Sequence, residues 1–153
     1  MHQYGKLINQ LDSGDDETFW FGAVDHKSIN ILETLLSVRK LPDDFVRFLV
    51  TCGGGGVIDA EISGIESNDP TIEHGGTILF DTLYCRSEYD LPSGIIVIYF
   101  KNDEVCWCID CSDREYGSVV SYNLFNKRIE QKISARFFDF FKEYVELRTK
   151  IVI

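Results

Sequence analysis

Apolar residues fall along this chain in short runs whose spacing changes from helical to alternating and back. Tyr4, Leu7, Ile8 and Leu11 recur at helical spacing, so the chain is expected to open on an amphipathic helix. A polar break from Asp12 to Glu17 follows, and Phe19-Trp20-Phe21 reads as a short strand or apolar anchor. Asp25 is suited to cap a helix carrying Ile29, Leu32, Leu35 and Leu36 on one face. That helix is expected to stop near Arg39-Lys40, because the residue before Pro42 is pushed out of α conformation. Pro42 suits the first turn of a second helix, where its missing N–H is no loss. Asp43 and Asp44 lie at the positive end of that helix. Phe45, Phe48 and Leu49 form its buried stripe, and Gly53 to Gly56 end it.

From Val57 to Ile65 the pattern alternates, with Asp59, Glu61 and Ser63 opposite Ile58, Ala60 and Ile62. It predicts a strand with one wet face. Residues 66–76 read as loop and 77–89 as helix. Residues 94–101, 104–111 and 118–125 are runs of β-branched and aromatic residues bounded by turn signals, the pattern of an antiparallel meander. Ile133, Phe137, Phe140, Phe141, Tyr144 and Val145 then mark an amphipathic C-terminal helix. The expected fold is α+β: a single domain over residues 1–153, with a central antiparallel sheet of about 4–6 strands flanked by helices.

Composition narrows this picture. Hydrophobic residues make up 44% of the chain and aromatic residues 13%, which excludes a disordered or collagen-like polymer. The longest apolar stretch, Ile95 to Phe100, is far short of the roughly 20 residues a membrane span requires. The first residues lack the basic-then-apolar order of a secretory signal, so a cytoplasmic location is expected. Five cysteines, an odd number, are then expected to be reduced and buried as small hydrophobes.

The formal charge is −10, and its distribution is uneven. Residues 1–74 hold five Lys/Arg against thirteen Asp/Glu, whereas residues 127–153 hold seven against four. Such a surface repels nucleic-acid phosphates and membrane headgroups and attracts basic proteins.

The candidate chemistries mostly fail on order and spacing. The four glycines follow a helix and precede a strand, the reverse of a phosphate-binding loop, and no Gly-Lys-Ser/Thr follows them. They read as a helix end and a close approach of backbone to backbone. Cys106 and Cys108 share a strand face, but structural zinc needs four ligands, and Cys52, Cys85, His2, His26 and His74 are scattered. No metal or cofactor is expected. A dyad of His74 with Cys85, or a thiol enzyme using Cys85 or Cys106, is the alternative chemistry the sequence offers, and no catalytic residue is assigned. Tyr99 and Trp107 read as core.

Several segments in order carry a resemblance. They are Ile29-x-x-Leu32-Glu33-x-Leu35, the Leu41-Pro42-Asp43-Asp44-Phe45 turn, Phe48-Leu49 and Gly53 to Gly56. Pro92-x-Gly94-Ile95-Ile96-Val97-Ile98, Cys106-Trp107-Cys108-Ile109-Asp110 and Val119-Val120 follow, with an aromatic helix at Phe137 to Tyr144. This layout resembles the SUKH (Smi/Knr-like) family over residues 25–145, departing most at 59–90. The resemblance implies a non-enzymatic immunity protein that binds and neutralises a cognate secreted toxin, often a nuclease. It also implies an alternative, a regulatory interaction module like the fungal cell-wall regulators. On either reading the partner is a protein. For a basic, nuclease-like toxin the expected contact is Asp59, Glu61, Glu66, Asp69 and Glu73, on one strand face and its following loop, with Asp15, Asp16 and Glu17 in reserve.

Overall fold

The computed structural model describes residues 3–101 and 103–149. Helix α1 spans Gln3–Asp12 and strand β1 spans Thr18–Trp20. Helix α2, His26–Leu36, starts where Asp25 accepts a hydrogen bond from the Ser28 amide at 2.8 Å. It stops earlier than Arg39-Lys40, because Ser37 turns left-handed and its amide closes on the helix carbonyls. Pro42 is the cap of helix α3, Asp43–Cys52, rather than part of its first turn.

Asp44 serves two helices at once. Its carboxylate accepts from its own helix at Phe45 N and from Phe138 N, each at 2.9 Å. The second bond falls in the first turn of helix α5, Phe137–Thr149. The N-termini of α3 and α5 are therefore pinned together by one charge at their positive ends. Behind that pin, Phe45, Phe48, Phe137 and Phe141 pack ring to ring at centroid distances of 4.8 to 6.2 Å.

Beyond α3 the structure departs from the expected strand over 57–65. Strand β2 is only Gly55–Val57, paired antiparallel with β1 as a two-stranded ribbon. The chain turns at Asp59, which sits at φ 73°, a left-handed conformation that aspartate tolerates. It then folds back, so that Gly55 and Ile62 exchange both backbone hydrogen bonds at 2.8 and 2.9 Å. Ile62, Ser63, Gly64 and Ile65 are all buried. The alternation in sequence thus reflects a tight wrap buried on both sides after Ala60, not one wet strand face.

That wrap is possible because glycine lies on both sides of it. Gly53, Gly54, Gly55 and Gly56 all have positive φ. A Cβ on Gly54 would fall 2.5 Å from the Cα of Gly64, and one on Gly55 would fall on the Phe19 carbonyl oxygen. The phenol of Tyr144 closes the arrangement from α5, donating to Ala60 O at 2.8 Å and accepting from Val57 N at 2.9 Å.

The remaining elements are helix α4, Ile78–Tyr89, and strands β3 (Ile95–Tyr99), β4 (Val105–Asp110), β5 (Val119–Asn123) and β6 (Arg128–Ser134). The strands form a meander in the order β3-β4-β5-β6. With the ribbon and the helices this is the expected α+β architecture. β6 was not expected. Ile133 lies in this strand, not on the C-terminal helix, and α5 begins at Phe137. Two register shifts interrupt its pairing with β5, and such irregularity together with Lys and Glu side chains suits an exposed edge.

The sheet divides two cores. Ile96, Ile98, Ile109 and Val119 face the helices, while Ile95, Val97, Cys106, Cys108 and Tyr122 face a second cluster with Cys85 and Leu91. Tyr99 and Trp107 stack at 4.9 Å, and Trp107 packs against the first core while staying partly exposed.

Gly54→Ala is expected to lower stability by at least about 3 kcal/mol in urea denaturation, since both the backbone conformation and the space at this position oppose a side chain. Gly75→Ala, where a Cβ meets nothing within 4 Å, should stay within about 0.5 kcal/mol of the parent.

Candidate functional site

A groove of about 660 Å³ opens between the ribbon, the start of α4 and the end of β3. Five rings line it. Phe19 and Phe21 come from the ribbon side and meet edge to face at 5.1 Å. Phe80 and Tyr84 are stacked one turn apart on α4 at 5.7 Å, and Phe100 meets Tyr84 at 5.8 Å. Phe19 remains 46% exposed, a large apolar ring left uncovered at the mouth.

Asp81 also lines the groove, yet it is only 1% exposed. It sits in the first turn of α4, which Thr77 caps by accepting from Phe80 N at 3.1 Å. Ser63 donates to one Asp81 oxygen at 2.7 Å and Gly76 N to the other at 3.3 Å. Burial pushes this carboxyl above the usual carboxylate range, more than these two bonds offset.

Two ion pairs edge the groove. Lys101 bonds Glu61 at 2.8 Å, and the Nε2 of His74 meets Glu66 at 2.6 Å. His74 Nδ1 faces Gly75 O at 3.1 Å, so both ring nitrogens look at acceptors, which only the imidazolium satisfies. The Gly75 carbonyl first, and Glu66 with it, raise the His74 pKa above 6.5.

The structure regroups the acidic residues expected from sequence. Glu61 and Glu66 line the groove together. Asp59 stands apart on the turn after β2, next to Ile58, whose N bonds Glu17 O of the reserve run at 3.0 Å. Asp69 is tied locally, accepting from the Thr71 amide and hydroxyl at 3.0 and 2.6 Å. Glu73 is exposed on the loop before His74. Of these five carboxylates, Glu61 and Glu66 alone line the groove. Sequence reasoning missed Asp81 and the rings around it. The signal was a lone acid inside Ile78-Leu79-Phe80-Asp81-Thr82-Leu83, where burial demands a reason.

The other candidates are placed elsewhere. Cys85 is fully buried in the second core, not in the groove with His74. A hydrogen bond with Cys106 and burial both push its thiol pKa up, the opposite of what a nucleophile requires. Cys106 and Cys108 lie 3.6 Å apart, sulfur to sulfur. Among the described residues no group of three or more His, Cys, Asp or Glu is placed to hold a metal ion. No helix among them is long and apolar enough to cross a membrane.

A raised His74 pKa means the Glu66–His74 pair contributes fully below pH 6.5 and fades as pH rises through the raised value. In an NMR titration of the His74 ring, Glu66→Gln should shift the midpoint down, because the carboxylate charge that favours the imidazolium is lost. An unmoved midpoint would refute the pairing.

The sequence matches a family model, SUKH_5, described as SMI1-KNR4 cell-wall, over residues 5–146. No curated protein gives a significant match. The match runs through all five helices and both sheets of the described structure, and the chain belongs to the SUKH (SMI1-KNR4) family.

Proposed function

We propose that this protein is an immunity protein that binds a cognate secreted toxin in the cytoplasm of the producing cell and occludes the toxin's basic, nuclease-like active site. It acts by binding, not by catalysis. The observation that carries this reading is the groove, where the exposed ring of Phe19 and the partly exposed rings of Phe80 and Tyr84 line one cleft with the carboxylates of Glu61 and Glu66. Aromatic surface rimmed by charge is the usual make-up of a protein-binding patch. A net charge of −10 adds long-range attraction for a cationic partner and speeds encounter.

Within this reading Glu61 and Glu66 form the centre of the contact. Asp59, joined by Asp15, Asp16 and Glu17, extends it along the ribbon, and Asp69 and Glu73 form its outer rim. A second reading rests on the cell-wall reference in the family's description: a regulatory interaction module that has no toxin partner.

Co-expression with the product of the adjacent gene separates the two. The first reading expects a stable complex, suppression of the toxin's activity, and affinity that falls with added salt. In the double variant Glu61→Lys/Glu66→Lys, affinity should drop by at least about tenfold, the scale of losing one well-placed contact. A neighbour that carries no toxin domain, or that forms no complex, would overturn the immunity reading.

A further inference from the structure

Asp81 presents a problem that its neighbours leave unsolved. It is a buried carboxylate whose hydrogen bonds come from a hydroxyl and a backbone amide, both neutral. Among the described residues neither Lys101 nor His74 hydrogen-bonds it or pairs with it; both line the same groove and favour its charge only through space, less than burial opposes it. Buried charge without an ionic partner is costly, and here the carboxylate lines an open groove rather than a sealed core. The groove's three carboxylates, Glu61, Glu66 and Asp81, also outnumber its two basic side chains.

We infer that the groove is a socket for an arginine side chain of the partner protein, which stacks its guanidinium against Phe80 and Tyr84 and pairs with Asp81 and Glu66. This rests on the protein-binding reading above and names the chemistry of the group received. Three features select arginine. Ring faces on α4 and at Phe100 favour a planar, weakly hydrated cation over the compact ammonium of lysine. The donor fork, with several N–H groups, can serve two carboxylates of one groove at once. The volume, about 660 Å³, is within the usual range for a ligand cleft and leaves room for residues flanking the arginine. The raised pKa of Asp81 is the expected state of such an acid before its cation arrives.

The test uses the full chain and three short capped peptides, acetyl-Gly-X-Gly-amide, where X is arginine, lysine or citrulline. Binding is followed through backbone amide resonances of Ser63, Gly76 and Phe80. The arginine peptide should shift these resonances saturably. Citrulline, which keeps the shape and loses the charge, should bind at least about tenfold more weakly, and lysine at least about threefold more weakly. Asp81→Asn should reduce arginine binding by about tenfold. Because that substitution is buried, Glu66→Gln on the rim serves as a second variant and should reduce binding by about threefold. Glu143→Gln, on the exposed face of α5, should leave it unchanged.

Equal binding of citrulline, shifts confined to other surfaces, or full affinity in a folded Asp81→Asn or in Glu66→Gln would each overturn the inference. The two failures are distinguishable. A toxin complex that forms with no arginine selectivity sinks the socket alone, whereas arginine-selective binding with no toxin complex sinks the immunity reading alone.

Discussion

Backbone packed directly on backbone, at the point where α3 ends, is the constraint on which the rest of this fold hangs. Gly53 and Gly54 lie against Gly64, and Gly55 lies against the β1 strand, with no room for a Cβ at any of these contacts. That closeness lets the chain after α3 form a strand, turn, and return to pair with itself within a few residues. The return leg reaches the meander, with Ser63 N bonded to Ile98 O at 2.7 Å, and α4, with Ile78 N bonded to Gly64 O at 2.9 Å. Ribbon, sheet and α4 are thereby fixed to one another through main-chain bonds rather than through side chains free to repack.

The groove is a product of the same closure. Phe19 and Phe21 come from the ribbon, Glu61 and Ser63 from the return leg, Phe80 and Asp81 from α4, and Phe100 from the end of β3. Each segment is held by the glycine joint or by an element bonded to it. A rigid frame of this kind keeps aromatic surface exposed where a looser chain would fold it inward, and so reduces the entropy lost when a partner docks.

The sequence was most legible where local chemistry had a single explanation. The Asp25 cap, the Pro42-Asp43-Asp44 start and the Gly53 stop each have a reason inside a few residues, and those boundaries agree with the structure to within a few positions. The alternation after Val57 misled, because a tight wrap and a half-wet strand share one pattern. β6 was missed since Ile129 and Ile133 stand four apart, a helical spacing, while register shifts break the period of two along its pairing. The groove was the least legible part. Its lining is drawn from separated segments, and charge clustering pointed also to Asp59, Asp69 and Glu73, which are not among the lining residues. Glu61 and Glu66 fell inside the expected set, but nothing local tied them to Phe19 or Asp81.

All five cysteines are buried and unpaired in this fold. Burial pushes Cys52 and Cys111 up to about 12, so at neutral pH almost none of either is thiolate, the form that oxidants and alkylating agents attack. Those two thiols are thus quiet in the native chain, and burial shields the other three from reagents until the fold opens. Since Cys52 belongs to the helical core and Cys106 and Cys108 to the core on the other side of the sheet, the order in which these thiols become reactive distinguishes a chain that loosens on one side from a chain that comes apart as a whole. The protein carries its own unfolding clock, with a separate hand for each face of the sheet.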